Sequence, residues 1–94
     1  MDQPKATRTV VVTNRAGLHA RAALMIFKLV QQYSVEVELV MDCQRAKASD
    51  VLQLMTLGAS QGTQLTLEAV GPGAEAALDA LASLFAAGFH EEDG

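Results

Sequence analysis

Residues Val35-Glu36-Val37-Glu38-Leu39 alternate apolar and charged side chains, the period of a β-strand with one dry face and one wet face. The same period returns in Gln64-Leu65-Thr66-Leu67-Glu68-Ala69. A sheet of such strands needs cover on one side only, and two stretches at helical period supply it. Between Ala20 and Tyr33, the positions Ala23, Ile26, Phe27 and Val30, flanked by Leu29 and Tyr33, form one stripe, with Arg21, Lys28 and Gln31 opposite and Leu24 and Met25 off it. Between Ala74 and Ala87, Leu78, Leu81, Leu84 and Phe85 form another, stopped by Gly88. The expected architecture is a two-layer α+β sandwich, with helices on one face of a mostly antiparallel sheet.

The remaining elements follow from local chemistry. The β-branched run Thr9 to Thr13 reads as a strand, broken by Asn14-Arg15-Ala16-Gly17. Asp42-Cys43 reads as a two-residue hairpin turn leading into Gln44 to Ala48. A turn with positive φ at both central residues favours Asn-Gly or Asp-Gly, so cysteine in second place implies a local cost or another turn type. Ser49-Asp50 opens a short helix ended by Gly58, with Asp50 and Gln53 spaced as a capping pair. The element order is βαββαβα. It is read as one domain over 1–94, with a core from about 8 to 88 and a frayed acidic tail from 89 to 94.

Charge and cysteine content exclude several classes. Seven Lys and Arg against eleven Asp and Glu leave a net charge of −4, which argues against nucleic-acid binding. The longest apolar run, Ala22 to Phe27, is far short of a bilayer span, so membrane insertion is not expected. Cys43 is the only cysteine; a disulfide within the chain is excluded, and a reducing cytoplasmic setting is the expectation. His90 sits among Glu91, Glu92 and Asp93 as a solvated tail residue, and neither a metal site nor a cofactor is expected.

Chemistry concentrates where loop becomes helix, in Asn14-Arg15-Ala16-Gly17-Leu18-His19-Ala20-Arg21. If the helix begins after His19, histidine occupies the N-cap in place of Ser, Thr, Asp or Asn, and a poor cap costs about 1 kcal/mol. Unpaired N–H groups at a helix start favour an anion. A neutral imidazole there is a competent nucleophile, Arg21 could pair with phosphoryl oxygens, and Gly17 would let the loop backbone come close. Equally, Asn14 could cap a longer helix, leaving His19 on an exposed first turn. A second feature is Asp50 to Leu57: Leu54 and Leu57 fit a core stripe, while Val51, Leu52 and Met55 spread over another arc. Those three either form a docking patch or are covered by the third helix and loops.

The stretch Gly17-Leu18-His19-Ala20-Arg21-Ala22-Ala23, followed by Leu54-Met55-Thr56-Leu57-Gly58 and Gln61-Gly62-Thr63, closely resembles the histidine-containing phosphocarrier HPr family. The likeness runs from about Thr9 to Gly88. It implies an open-faced βαββαβα sandwich with strand order 1-4-2-3 and three helices. It further implies that His19 takes a phosphoryl group on Nδ1 from phosphorylated enzyme I of the phosphoenolpyruvate-dependent sugar phosphotransferase system and passes it to a IIA component. On the same basis Arg21 assists at the phosphoryl group, and the backbone N–H groups of Ala20 and Arg21 contact it. The partner surface falls on Leu24, Lys28, Val51, Leu52 and Met55, and the chain is expected to be a monomer.

Three positions depart from the family pattern. Ala22 stands where proline usually follows the arginine; alanine keeps the helix but constrains its first turn less. Asp50 stands at the position where many relatives carry a serine phosphorylated by a regulatory kinase. A carboxylate caps the helix but accepts no phosphate, which leaves Ser49 as a substitute target or the standing charge of Asp50 as a partial mimic. Asp42-Cys43 replaces an Asn-Gly-like turn. Two other classes compete with the phosphocarrier reading: a non-catalytic regulatory module that binds proteins through the Val51, Leu52 and Met55 patch, and a small-ligand-binding α+β domain.

Overall fold

The structure is a computed structural model and describes residues 5–91. Its elements are β1 (Lys5–Val11), α1 (Ala20–Val30), β2 (Glu36–Met41), β3 (Gln44–Lys47), α2 (Val51–Thr56), β4 (Gln64–Val70) and α3 (Ala74–Ala86), followed by a short turn at Gly88–His90. The strands form one sheet in the order β1-β4-β2-β3, and each neighbouring pair is antiparallel.

The alternation in β2 and β4 decides which side of the sheet is dry. Leu39 lies opposite Leu67, and Val37 opposite Ala69; all four are buried. They meet Ile26 of α1, Leu54 of α2, and Leu78, Leu81 and Phe85 of α3 in one core. On the wet face the register places Glu38 directly opposite Glu68, a repulsive pairing. Arg45 of β3 resolves it by donating to both carboxylates at 2.9 Å, and the two glutamates in turn raise the Arg45 pKa.

Edge strand β1 starts earlier than its β-branched run suggests, at Lys5 rather than Thr9. Ala6 and Val10 are buried on the helix side, while Arg8 between them is half-buried and pairs with Asp79 of α3. An inward-facing charge on an edge strand discourages pairing with another chain.

Helix α1 ends at Val30, not Tyr33. The amides of Gln32 and Tyr33 reach back only three residues, to Leu29 and Val30, so the last turn tightens. Its buried face is Ala22, Ala23, Ile26 and Val30; relative to the expected stripe the helix is rolled, so Ala22 goes in and Phe27 is only half-buried. The β2–β3 link is the two-residue turn expected at Asp42-Cys43, flanked by the Met41–Gln44 pair. Positive φ occurs at Asp42 (53°) and not at Cys43. That excludes the turn with two left-handed residues and relieves cysteine of a conformation it would resist.

The chain's end departs most from expectation. Residues 89–91 are not frayed: Phe89 is fully buried, its ring 4.9 Å from that of Phe85 in an edge-on packing. The core therefore extends one residue beyond 88, and only 92–94 of the expected tail lie outside the described residues. Among the described residues, no helix is long and apolar enough to cross a membrane.

Candidate functional site

The site is set by a loop folded back on itself between β1 and α1. Val12, the residue after β1, exchanges backbone hydrogen bonds with Gly62 and Thr63, which ties the loop to the segment after α2. Asn14 is buried, and its Nδ2 donates to the Gly17 carbonyl at 2.8 Å. The Leu18 amide donates to the Ala59 carbonyl at 3.0 Å. Gly17 has φ of 69°, and a Cβ there would sit 2.4 Å from that same carbonyl oxygen. The close approach that glycine permits here is to Ala59. Asn14 does not cap the helix; it clamps the loop that presents the cap.

The cap is His19. Its backbone is extended (φ −80°, ψ −178°), and its Nδ1 accepts a hydrogen bond from the Arg21 amide at 3.2 Å. The imidazole thus does the work of the usual Ser or Asp oxygen on the second helical residue. An accepting Nδ1 carries a lone pair, so the ring proton of the neutral form resides on Nε2. There it meets the carboxylate of Glu91, which also accepts from Asn14 Nδ2 at 3.2 Å. The hydrogen bond from His19 holds the Glu91 carboxyl below the usual carboxylate range; the bond from Asn14 and the positive charge of Arg21 act in the same direction, against the opposing effect of burial. About a third of the His19 side chain remains exposed (34%), against 15% for Glu91. The Arg21 side chain is exposed beside them.

Sequence reasoning had no route to Glu91. Its partners His19 and Asn14 are 72 and 77 residues away, and its acidic neighbourhood reads as tail. The only local signal was Phe89, an aromatic residue just after the helix-stopping Gly88.

The second predicted cluster lies on α2 and the residue before it. Asp50 caps α2, its Oδ1 accepting from the Gln53 amide at 3.1 Å. Gln53 returns its own side-chain oxygen to the Lys47 amide rather than to Asp50, so the capping box is only half formed. Leu54 and Leu57 are buried, whereas Leu52 (73%) and Met55 (40%) are exposed, as is Leu24 (41%) on α1. Lys28 is exposed and lies at a groove of about 400 Å³ between α1 and α3, lined by Met25, Leu29, Leu84 and His90 among others. Val51 is half-buried and Ser49 exposed.

A family model described as the PTS HPr component phosphorylation site matches residues 6–87. The chain belongs to the HPr family of phosphocarrier proteins. Among its relatives, phosphocarrier protein NPr of Escherichia coli K12 is 42% identical over 86 residues, covering 90% of this chain and 96% of that protein. Phosphocarrier protein HPr of Treponema pallidum is 39% identical over 85 residues, covering 90% and 97%. The crystal structure of HPr-C-His from Thermoanaerobacter tengcongensis superposes with a TM-score of 0.88 at 32% identity, covering 94% of this chain and 99% of that one. HPr structures share the open-faced α+β fold found here. The relatives' names divide between HPr and NPr and agree on the phosphocarrier role.

Proposed function

We propose that His19 carries the phosphoryl group, on Nδ1, as a relay in the cytoplasm between phosphorylated enzyme I and a IIA component of the phosphoenolpyruvate-dependent sugar phosphotransferase system. The observation that carries this reading is the orientation of the ring: Nδ1, with its lone pair, faces the start of α1. In the transfer, that lone pair attacks phosphorus while the bond from phosphorus to the donor breaks, its electrons leaving on the donor atom. The Arg21 amide, released from Nδ1, is then free to donate to a phosphoryl oxygen, joined by the Ala20 amide. The helix N-terminus and the Arg21 guanidinium both favour the arriving charge. A ring one-third exposed suits a group that has to move on, because deep burial would shut out the next acceptor.

Docking falls to the exposed Leu24, Leu52 and Met55, with Val51 and Lys28 at their margin. Asp50 occupies the regulatory position as a permanent cap and charge, which removes that hydroxyl from kinase control and leaves Ser49 as the neighbouring acceptor. The chain acts as one domain and as a monomer.

The test is mass spectrometry after incubation with enzyme I and phosphoenolpyruvate: an acid-labile phosphate on His19 is expected, and none in a folded His19→Ala. Phosphate uptake by His19→Ala at the parent rate refutes the reading. Arg21→Ala is expected to slow transfer in rapid-quench measurements without abolishing it. The exposure of Leu52 also supports a second reading, a regulatory module that binds partners irrespective of the histidine. Equal affinity of the parent and phosphorylated forms for a partner, with no phosphate passed on, favours that reading.

A further inference from the structure

Three consecutive residues, Gly88 (φ 61°), Phe89 (φ 57°) and His90 (φ 58°), are left-handed. Glycine adopts this conformation freely; a phenylalanine and a histidine in succession do so rarely and only where their surroundings impose it. The surroundings here are identifiable. The Phe89 ring is fully buried against Phe85, Thr13 ties the Phe85 carbonyl to the loop after β1 at 2.7 Å, and the amides of His90 and Glu91 close back onto Ala87 and Gly88. The product of this reversal is the delivery of Glu91 onto the Nε2 side of His19, where Asn14 also holds its carboxylate.

We infer that Glu91 is a positioning residue for phosphoryl transfer: held by the left-handed turn and by Asn14, its carboxylate fixes the Nε2 proton of His19 and compensates the charge that the ring acquires when Nδ1 is phosphorylated. The inference rests on the phosphocarrier reading and adds to it a residue outside the family's motif. When neutral imidazole attacks phosphorus, the Nδ1 lone pair becomes the N–P bond and the ring keeps its Nε2 proton, so the product is a phosphoimidazolium bearing a full positive charge. A carboxylate already fixed at Nε2 meets that charge without reorganising. In the reverse direction the N–P bond breaks with its electrons returning to Nδ1, and the ring leaves as neutral imidazole. It leaves well only while Nε2 stays protonated, the form in which the ring donates to the carboxylate. The charged groups acting on Glu91 are His19 and Arg21, with Asn14 as its neutral partner.

The test uses the full chain and phosphoramidate, a small donor whose P–N bond breaks to release ammonia, so no protein partner is needed. Acceptance and subsequent hydrolysis are followed by 31P NMR at pH 8 for the parent, Glu91→Gln, Glu91→Ala and His19→Ala. Glutamine keeps the shape and the acceptor oxygen and removes only the charge. Glu91→Gln is expected to accept phosphate about fivefold more slowly, the scale of one partly exposed ion pair, and its phosphorylated form to survive about fivefold longer. Glu91→Ala follows the same direction. A looser site with no role for the charge would slow acceptance without lengthening that lifetime, so unchanged rates in Glu91→Gln, or slower acceptance alone, overturn the inference. Phosphate on His19→Ala instead overturns the phosphocarrier reading itself, a separate result from the first.

Discussion

Phe89 offers the sharpest stability test, because two opposing effects meet at one residue. Its side chain is fully buried, and truncating such a phenylalanine to alanine removes about 3–5 kcal/mol. A domain of this length has roughly 5–14 kcal/mol in hand, so Phe89→Ala should remain folded in buffer with a much earlier unfolding transition. The same residue also sits at φ 57°, where any non-glycine residue is strained by about 1 kcal/mol or more. Glycine escapes that strain and sacrifices about 0.5–1 kcal/mol of chain entropy. At an ordinary buried position glycine is worse than alanine; here Phe89→Gly should equal or exceed Phe89→Ala by a few tenths of a kcal/mol up to about 1.

Urea unfolding followed by far-UV circular dichroism measures both, compared through the midpoint at a common slope. A loss below about 1 kcal/mol in Phe89→Ala would show that the ring is not part of the core. A Phe89→Gly variant clearly less stable than Phe89→Ala would show that the left-handed turn does not form, and with it would go the delivery of Glu91 to His19.

Three further outcomes are expected. Gly17→Ala places a Cβ 2.4 Å from the Ala59 oxygen at a positive φ, so it should lose about 2 kcal/mol or more in urea unfolding and shift the amide resonances of Leu18 and His19. Asp50→Ala removes the α2 cap and should lose about 1 kcal/mol, while Asp50→Ser should recover most of it and supply a hydroxyl for a kinase assay. Because the Glu91 carboxyl is held below its ordinary value by His19, its contribution to stability is fully present above the usual carboxylate range and is lost as pH falls through the lowered value. The difference in urea midpoint between parent and Glu91→Gln should accordingly hold at neutral pH and close once the pH has fallen through the lowered Glu91 value; a difference that persists undiminished below the carboxylate range contradicts the sign.

Much of the fold was legible because its determinants are short-ranged. The alternation in β2 and β4 marks a one-faced sheet, and Gly58 and Gly88, both left-handed, mark where helices stop. Where reading along the chain faltered, a partner in space made the difference. Lys5 to Arg8 lack a β-branched run, yet they become strand because β4 supplies a ladder from Lys5 opposite Val70 onward. Phe27 and Ala22 exchanged burial because the roll of α1 is set by α2 and α3, which the period alone does not locate. The strand order came from the family resemblance and not from the pattern, since alternation identifies faces and is silent on neighbours.

The candidate site divides along the same line. His19 at the helix mouth violates a local preference, and a local violation is visible in one sequence. What holds the ring in place is not local. Asn14 looked like turn punctuation or a cap, and Glu91 like solvated tail, because each was judged by its neighbours in the chain. The left-handed turn at 88–90 is the physical link between the two views. It reverses the chain, and the burial of Phe89, the Thr13–Phe85 tie and the amides of His90 and Glu91 sustain it together, so the packing of one apolar ring contributes to the placement of a carboxylate two residues on. A charge set by packing rather than by the helix it faces is the kind of feature a motif omits. The loop that carries the histidine and the end of the chain that braces it therefore have to be read as one unit.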